Sequence, residues 1–119
     1  MDSTQKIGFE GEDHAAGYLE RAGYSILCRN YRYRKAEIDI LAQAGSFLVV
    51  VEVKTRTGGF YEALTDSIPK SKINRLVEAA HHYIQEAGLS LEVRFDVIQI
   101  IREGRGFHLV HLEDAFYFF

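Results

Sequence analysis

Residues 47–54 read FLVVVEVK, an apolar run rich in β-branched residues that ends with a glutamate and a lysine. Such a run, preceded by a glycine-containing turn, is typical of a buried β-strand. Side chains alternate between the two faces of a strand, so Glu52 and Lys54 are expected to share a face. A carboxylate at the end of a buried strand is costly unless its pKa shifts, it pairs with a cation or it binds a metal. The run therefore predicts a central strand with ionic chemistry at its end.

A second strand-like segment, residues 36–42 (AEIDILA), precedes this run across a short turn. Asp39 is separated from Glu52 by twelve residues, and we expect it to point away from a face formed by Ile38 and Ile40. Two acids and a lysine would then converge at the ends of neighbouring strands. This arrangement indicates a divalent-metal site suited to phosphate chemistry.

The chemistry of such a site assigns a role to each group. Mg²⁺ is typically held by one or two protein carboxylates, with waters completing a six-coordinate shell. Asp39 and Glu52 could be those carboxylates for Mg²⁺ or Mn²⁺, and the carbonyl of Val53 could add a ligand. Lys54 could orient an attacking water and stabilise negative charge in the transition state. In the alternative interpretation, Lys54 simply neutralises Glu52.

The rest of the chain predicts an α/β protein of one domain, residues 1–119, with a mixed sheet flanked by helices in the order αβββαβ and one further strand. Residues 55–68 are polar, contain two adjacent glycines and are expected to form a mobile loop beside the site. The expected elements are a helix from about Gln5 to Ala22, strands near 24–29, 36–42 and 47–54, a helix from Pro69 or Ser71 to about Gly88, and strands near 91–101 and 106–112.

Composition excludes several classes of protein. The 119 residues are 47% apolar, which fits an ordinary globular core, and no apolar run approaches the length of a membrane helix. Cys28 is the single cysteine, so neither an internal disulfide nor a zinc site with several cysteine ligands is expected. We expect a cytoplasmic protein without a membrane partner. The histidines, including His111, show no ligand spacing, and Asp96 is expected to play a structural part within a strand.

The charge is unevenly distributed. The net charge is −3, yet residues 29–75 carry nine Lys and Arg against five Asp and Glu. A basic zone around a cluster of acids suits a metal-dependent enzyme that acts on a polyanion. Basic residues interleave with Tyr31 and Tyr33, as in segments that touch nucleic acid, although a charged edge strand gives the same pattern. The candidate phosphate contacts are Arg32, Arg34, Arg56 and Lys72.

The ordered set Asp39-x12-Glu52-Val53-Lys54 resembles the core of the PD-(D/E)XK nuclease superfamily, whose restriction-endonuclease-like fold is an αβββαβ unit. The nearer resemblance is to a bacterial family of predicted endonucleases related to archaeal Holliday-junction resolvases. One departure is Ala36, where the family pattern usually has glycine. The resemblance spans the chain and includes Gly8-Phe9-Glu10-Gly11-Glu12, Ala15, Gly23-Tyr24, Arg29-Asn30, Glu37-Ile38-Asp39, Val51-Glu52-Val53-Lys54-Thr55-Arg56, Lys72 and Arg94-Phe95-Asp96-Val97.

The resemblance implies a metal-dependent endodeoxyribonuclease acting on branched or junction DNA in repair or recombination, with RNA left open as a substrate. It makes Asp39 and Glu52 metal ligands and Lys54 the catalytic lysine, and it places Glu12 among the site acids. Glu12 could instead pair with a basic side chain. The alternative function is a non-catalytic nucleic-acid-binding or adaptor module that retains the fold. A homodimer, through the C-terminal residues 115–119, four of which are aromatic, is a further expectation.

Overall fold

The computed structural model describes residues 3–57 and 68–115, and it places five strands and two helices along them. Gly23 and Gly88, both at positive φ, follow the ends of the two helices, which is where glycine stabilises a helix C-terminus. The elements are α1 (Ser3–Arg21), β1 (Ser25–Tyr33), β2 (Ala36–Ala44), β3 (Phe47–Thr57), α2 (Lys70–Ala87), β4 (Glu92–Glu103) and β5 (Gly106–Leu112).

The strands form one mixed sheet in the order β1-β2-β3-β4-β5. β3 and β4 are parallel, whereas the other three neighbouring pairs are antiparallel. Parallel neighbours need a long crossover connection, and α2 lies in the segment that joins β3 to β4. β3 is therefore the central strand, as its apolar sequence predicts.

The two helices cover opposite faces of the sheet. Alternate residues of β3 pack into different clusters: Val50 lies with the apolar side of α2, while Val49 and Val51 lie with that of α1. The buried residues of α1 are Ala15, Ala16 and Leu19, and those of α2 are Ile73, Leu76, Ala79 and Ala80. Burial on both faces explains why β3 reads as a continuous apolar run rather than an alternating one.

The predicted fold class, a mixed α/β sheet flanked by helices and compatible with an αβββαβ core, is confirmed. Some boundaries are wrong. β3 continues to Thr57, so residues 55–57 are strand rather than loop, because parallel pairing with β4 extends to Thr57↔Arg102. β1 continues to Tyr33 because it pairs with β2 up to Tyr33↔Ala36. The remainder of the predicted loop, residues 58–67, lies outside the described residues.

Over the part of the chain that the structure describes, neither helix is both long and apolar enough to cross a membrane. The aromatic residues 116–119, predicted as a dimer surface, also lie outside the described residues, and the preceding Ala115 is buried. Its N–H donates to the carbonyl of Phe95 at 2.7 Å. The end of the described chain is thereby attached to β4.

Candidate metal and nucleic-acid site

The candidate site forms where β2 and β3 diverge. Their regular pairing ends at Ile40↔Val51, so the next residues of each strand lack a partner on the other. The N–H of Val53 donates instead to Oδ2 of Asp39, at 2.8 Å. The expectation that Ile38 and Ile40 share a face is wrong: Ile38 packs in the α2 cluster and Ile40 in the α1 cluster. The change of face occurs at Asp39, where the pairing of β2 with β3 ends while its pairing with β1 continues.

Glu52 is a buried carboxylate with two lysines beside it. Only 4% of the residue is exposed, and it extends from β3 on the face covered by α2. Nζ of Lys72, from α2, lies 2.7 Å from Oε1 of Glu52, while Nζ of Lys54 lies 3.6 Å from the same oxygen. The predicted neighbourhood of Glu52 and Lys54 is thus present. Lys72, predicted as a phosphate contact, is the closer cation.

Asp39 is the least compensated acid of the site. Burial, followed by the nearby charge of Glu52, raises the pKa of Asp39 to about 7. The hydrogen bond from Val53 and the charge of Lys72 act in the opposite direction but do not cancel this rise. Two carboxylates are therefore held close enough to disfavour simultaneous ionisation. A divalent cation would relieve that repulsion.

Glu12 approaches the same region from α1 and is also buried, with 8% exposed. Its Oε1 accepts hydrogen bonds from Nε of Arg29 and Nδ2 of Asn30, both at 3.1 Å. The charge of Glu12 contributes to the raised pKa of Asp39, after burial and Glu52. Glu12 therefore belongs to the neighbourhood of the site, and its cationic partner is Arg29.

A glycine sets how closely α1 approaches β3 beside the site. A Cβ atom added at Gly11 would overlap the side-chain oxygen of Thr55, which directly follows the candidate lysine in β3. Any larger residue would push the helix away, and the acid at the next helix position, Glu12, would move with it. This contact explains why a glycine precedes Glu12 in the sequence.

The donor set of Asp39 and Glu52 fits a hard divalent cation. The contacts above engage Oδ2 of Asp39 and Oε1 of Glu52, and each carboxylate carries a second oxygen that could bind a cation. Within the described residues, Glu12 does not join these two acids in a group of three ligand atoms within 4.8 Å of one another. Mg²⁺ is usually bound by one or two protein carboxylates, with water molecules completing its coordination shell.

The four predicted phosphate contacts have different environments in the structure. Exposed Arg32 lies 3.4 Å from Glu37, and exposed Arg34 lies 2.9 Å from Glu78, so acids already neutralise both arginines. Arg56 is half-buried in β3, two residues beyond the candidate lysine. Lys72 is the one of the four that an ion pair joins to a candidate metal ligand.

A second buried acidic cluster surrounds Asp96 in β4, which is fully buried. Arg94 donates to both of its carboxylate oxygens at 3.0 Å, and Nε2 of His111 lies 2.8 Å from Oδ2. The hydroxyl of Tyr24 and the N–H of Asp114 also donate to it. Burial by itself would raise the pKa of Asp96, but the hydrogen bonds from His111 and Arg94 outweigh it and hold the pKa below its ordinary value.

This second cluster also contains a group that could hold a metal ion. One ligand atom each from Asp96, His111 and Glu113 lie within 4.8 Å of one another. The expectation that His111 has no ligand spacing is therefore wrong: Glu113 lies two residues further along the chain, and Asp96 is contributed by the neighbouring strand β4. The β4–β5 ladder, with pairs such as Val97↔Leu112, brings these residues together. The tight turn at Gly104 was the sequence signal that could have revealed this register.

Fold and site together define a mixed α/β protein with a buried acid–lysine cluster where two sheet strands diverge. The model of an uncharacterised protein family, UPF0102, matches residues 11–100, so the chain belongs to that family. It is 42% identical over 119 residues to a UPF0102 protein of Christiangramia forsetii and 44% identical over 119 residues to one of Flavobacterium psychrophilum. Both alignments cover the whole of each chain.

Proposed function

We propose that this protein is a Mg²⁺- or Mn²⁺-dependent endonuclease of the PD-(D/E)XK type that hydrolyses phosphodiester bonds in DNA. The observation that carries the proposal is the buried pair Asp39 and Glu52, whose mutual repulsion contributes to a pKa of about 7 for Asp39. A purely structural cluster would be expected to compensate its acids, because an uncompensated buried charge lowers stability. The sequence resemblance to junction resolvases supports branched or four-way-junction DNA as the substrate.

In this proposal the two acids would bind the metal, while Lys54 would stabilise negative charge and Lys72 would orient Glu52. A divalent cation bound by Asp39 and Glu52, with the Val53 carbonyl as a further ligand, supplies Lewis-acid stabilisation of the phosphate oxygens. Lys54 donates hydrogen bonds to the attacking water or to a non-bridging oxygen. Lys72 orients the carboxylate of Glu52 through their 2.7 Å ion pair.

The proposed reaction needs no covalent protein intermediate. A water oxygen forms a bond to phosphorus and gives up a proton to solvent, the bond from phosphorus to one bridging oxygen breaks, and that oxygen takes up a proton from solvent as it leaves. Glu12 maintains the negative potential of the site while Arg29 and Asn30 hold it in place. The protein would carry out this reaction in the cytoplasm, in DNA repair or recombination.

Cleavage assays test this function. Wild type, Asp39→Asn and Lys54→Ala would be incubated with Mg²⁺ or Mn²⁺ on linear, single-stranded, flap and four-way-junction DNA. We expect wild type to cut a branched substrate, and each substitution to lower the rate by about a thousandfold, because metal binding or charge stabilisation is lost. Glu20→Ala and Arg105→Ala, at exposed positions away from the site, are the matched controls.

Two results would contradict the proposal. Cutting that survives in Asp39→Asn would exclude the metal mechanism. Wild type that binds DNA without cutting any substrate would support the non-catalytic adaptor instead. In that case Lys54 and Lys72 would be structural partners of Glu52, which is a role that their distances from its Oε1 also allow.

A further inference from the structure

A groove runs between the β1–β2 turn and α2 and leads to the candidate site. It consists of two adjoining cavities of about 270 and 70 Å³ that share Lys35, Ala36 and Arg75 as lining residues. The smaller cavity is also lined by Lys72, whose ammonium contacts Glu52. Lys72 therefore belongs both to the groove and to the acid–lysine cluster.

Two exposed cations in this groove differ from the neighbouring arginines. Lys35 and Arg75 make no ion pair among the described parts of the chain, whereas Arg34 on the same wall is paired with Glu78. Positive charge that no protein acid neutralises is available to an external anion. The sequence pattern drew attention to Arg34, but the available charge lies one residue further along the turn.

The positions of these cations follow the groove toward the site. Lys72 and Arg75 are three residues apart on α2, so they lie about one helical turn, roughly 4.5 Å, apart along the helix axis. Lys35 faces them from the β1–β2 turn. Two available cations that lie beside Lys72, close to the candidate metal ligands, match the repeated negative charge of a phosphodiester backbone.

The aromatic residues near the groove are already engaged with the protein. The ring of Tyr33 stacks on His82, with ring centroids 4.1 Å apart and an interplanar angle of 16°. Tyr31 packs edge-on against Tyr83 at 5.3 Å. Base stacking on these tyrosines would have to displace those contacts, so the groove favours contacts to the backbone over contacts to bases.

We infer that Lys35 and Arg75 bind the phosphodiester backbone of the nucleic-acid strand that flanks the phosphate to be cut. This inference rests on the proposed function and adds the path of the substrate to it. Binding along the groove depends on charge rather than on base sequence. The binding affinity therefore decreases with added salt. The slope of log affinity against log salt changes by about one for each phosphate contacted.

The test measures DNA binding as a function of salt. Fluorescence anisotropy of labelled four-way-junction DNA would be recorded with Ca²⁺ in place of Mg²⁺, for wild type, Lys35→Ala, Arg75→Ala and the double variant. We expect each single variant to reduce the magnitude of the slope of log affinity against log salt by about one, and the double variant by about two. Arg34→Ala is the matched control for a paired arginine, and Arg105→Ala for an arginine outside the groove.

Failures of the two proposals are distinguishable. Wild type that cuts DNA, combined with a double variant of unchanged affinity and salt slope, would overturn the groove while leaving the nuclease intact. Wild type that neither binds nor cuts any nucleic acid would overturn both. A far-UV circular dichroism spectrum and thermal unfolding of each variant would confirm that the exposed substitutions leave the fold unchanged.

Discussion

The two buried acidic clusters of this protein differ in how completely their charge is compensated. Asp96 receives hydrogen bonds from a guanidinium, an imidazole, a hydroxyl and a backbone N–H, and its pKa is lowered. Asp39 accepts one backbone N–H, lies near Glu52 and has a pKa raised to about 7. The first arrangement stabilises the fold. The second costs stability, and it is the kind of arrangement retained where a site must bind a cation.

Position in the sheet explains this difference. Asp96 lies within β4. His111 from β5, Arg94 from β4 and Tyr24, which follows α1, all reach its carboxylate. Asp39 lies at the point where β2 leaves β3 and, like Asp96, accepts one backbone N–H, but among the described residues no side chain donates a hydrogen bond to it. The divergence of the two strands therefore interrupts the hydrogen-bond ladder, and the Val53 N–H donates to the side chain of Asp39 instead.

The same substitution in each cluster gives the largest predicted contrast in stability. Asp96→Asn removes the carboxylate closest to the guanidinium of Arg94 and leaves only Glu113 at 4.0 Å, so we expect it to lower the free energy of unfolding by about 3–5 kcal/mol. Asp39→Asn removes a disfavoured charge but keeps an oxygen for the Val53 N–H, so we expect a gain of about 4 kcal/mol at pH 8. Urea denaturation of both variants without divalent metal measures the two changes. Equal losses in both variants would remove the distinction between the clusters.

A smaller effect is predicted for the pH dependence of stability. The pKa of Asp39 is higher in the folded than in the unfolded protein, so the folded state holds an extra proton between about pH 4 and 7. The free energy of unfolding should therefore fall across that window, by about 3 kcal/mol, and level off above it. The contribution of Asp96 has the opposite sign, because its folded pKa is lowered. It is present above the ordinary carboxyl pKa and is lost as pH falls below it.

Urea titrations at intervals between pH 3 and 8 measure this dependence. We expect the decrease between pH 4 and 7 to disappear in Asp39→Asn and to remain in Glu20→Ala, which changes an exposed acid of α1. A wild-type stability that rises steadily across the same window would show that the pKa of Asp39 is not raised. The interpretation that burial and the charge of Glu52 raise the pKa of Asp39 would then fail.

Much of the fold could be predicted from the sequence, and the reasons are local. The apolar run of β3 is long and buried on both faces, and the helices carry a clear apolar stripe, so their types and order follow from pattern alone. The end of β3 was less predictable. The polar residues Thr55 and Thr57 are held in the strand by pairing with β4, a partner nearly forty residues away.

The site was predictable in its acids but not in its partners. Asp39, Glu52 and Lys54 are recognisable because charged residues interrupt apolar strands. The ion pair between Lys72 and Glu52 depends on how α2 packs across the sheet, which no local pattern encodes. The group around Asp96 was missed for a similar reason, since His111 reaches it through the β4–β5 register.

Calorimetric titration of Mn²⁺ into wild type and Asp39→Asn at pH 8 tests the central claim most directly. The account predicts that wild type binds the ion at the Asp39–Glu52 pair and that this binding is lost in Asp39→Asn. His111→Asn, which alters the other candidate group, should bind as wild type does. Binding that persists in Asp39→Asn but is lost in His111→Asn would place the metal at Asp96 and contradict the account, as would wild type that binds no Mn²⁺.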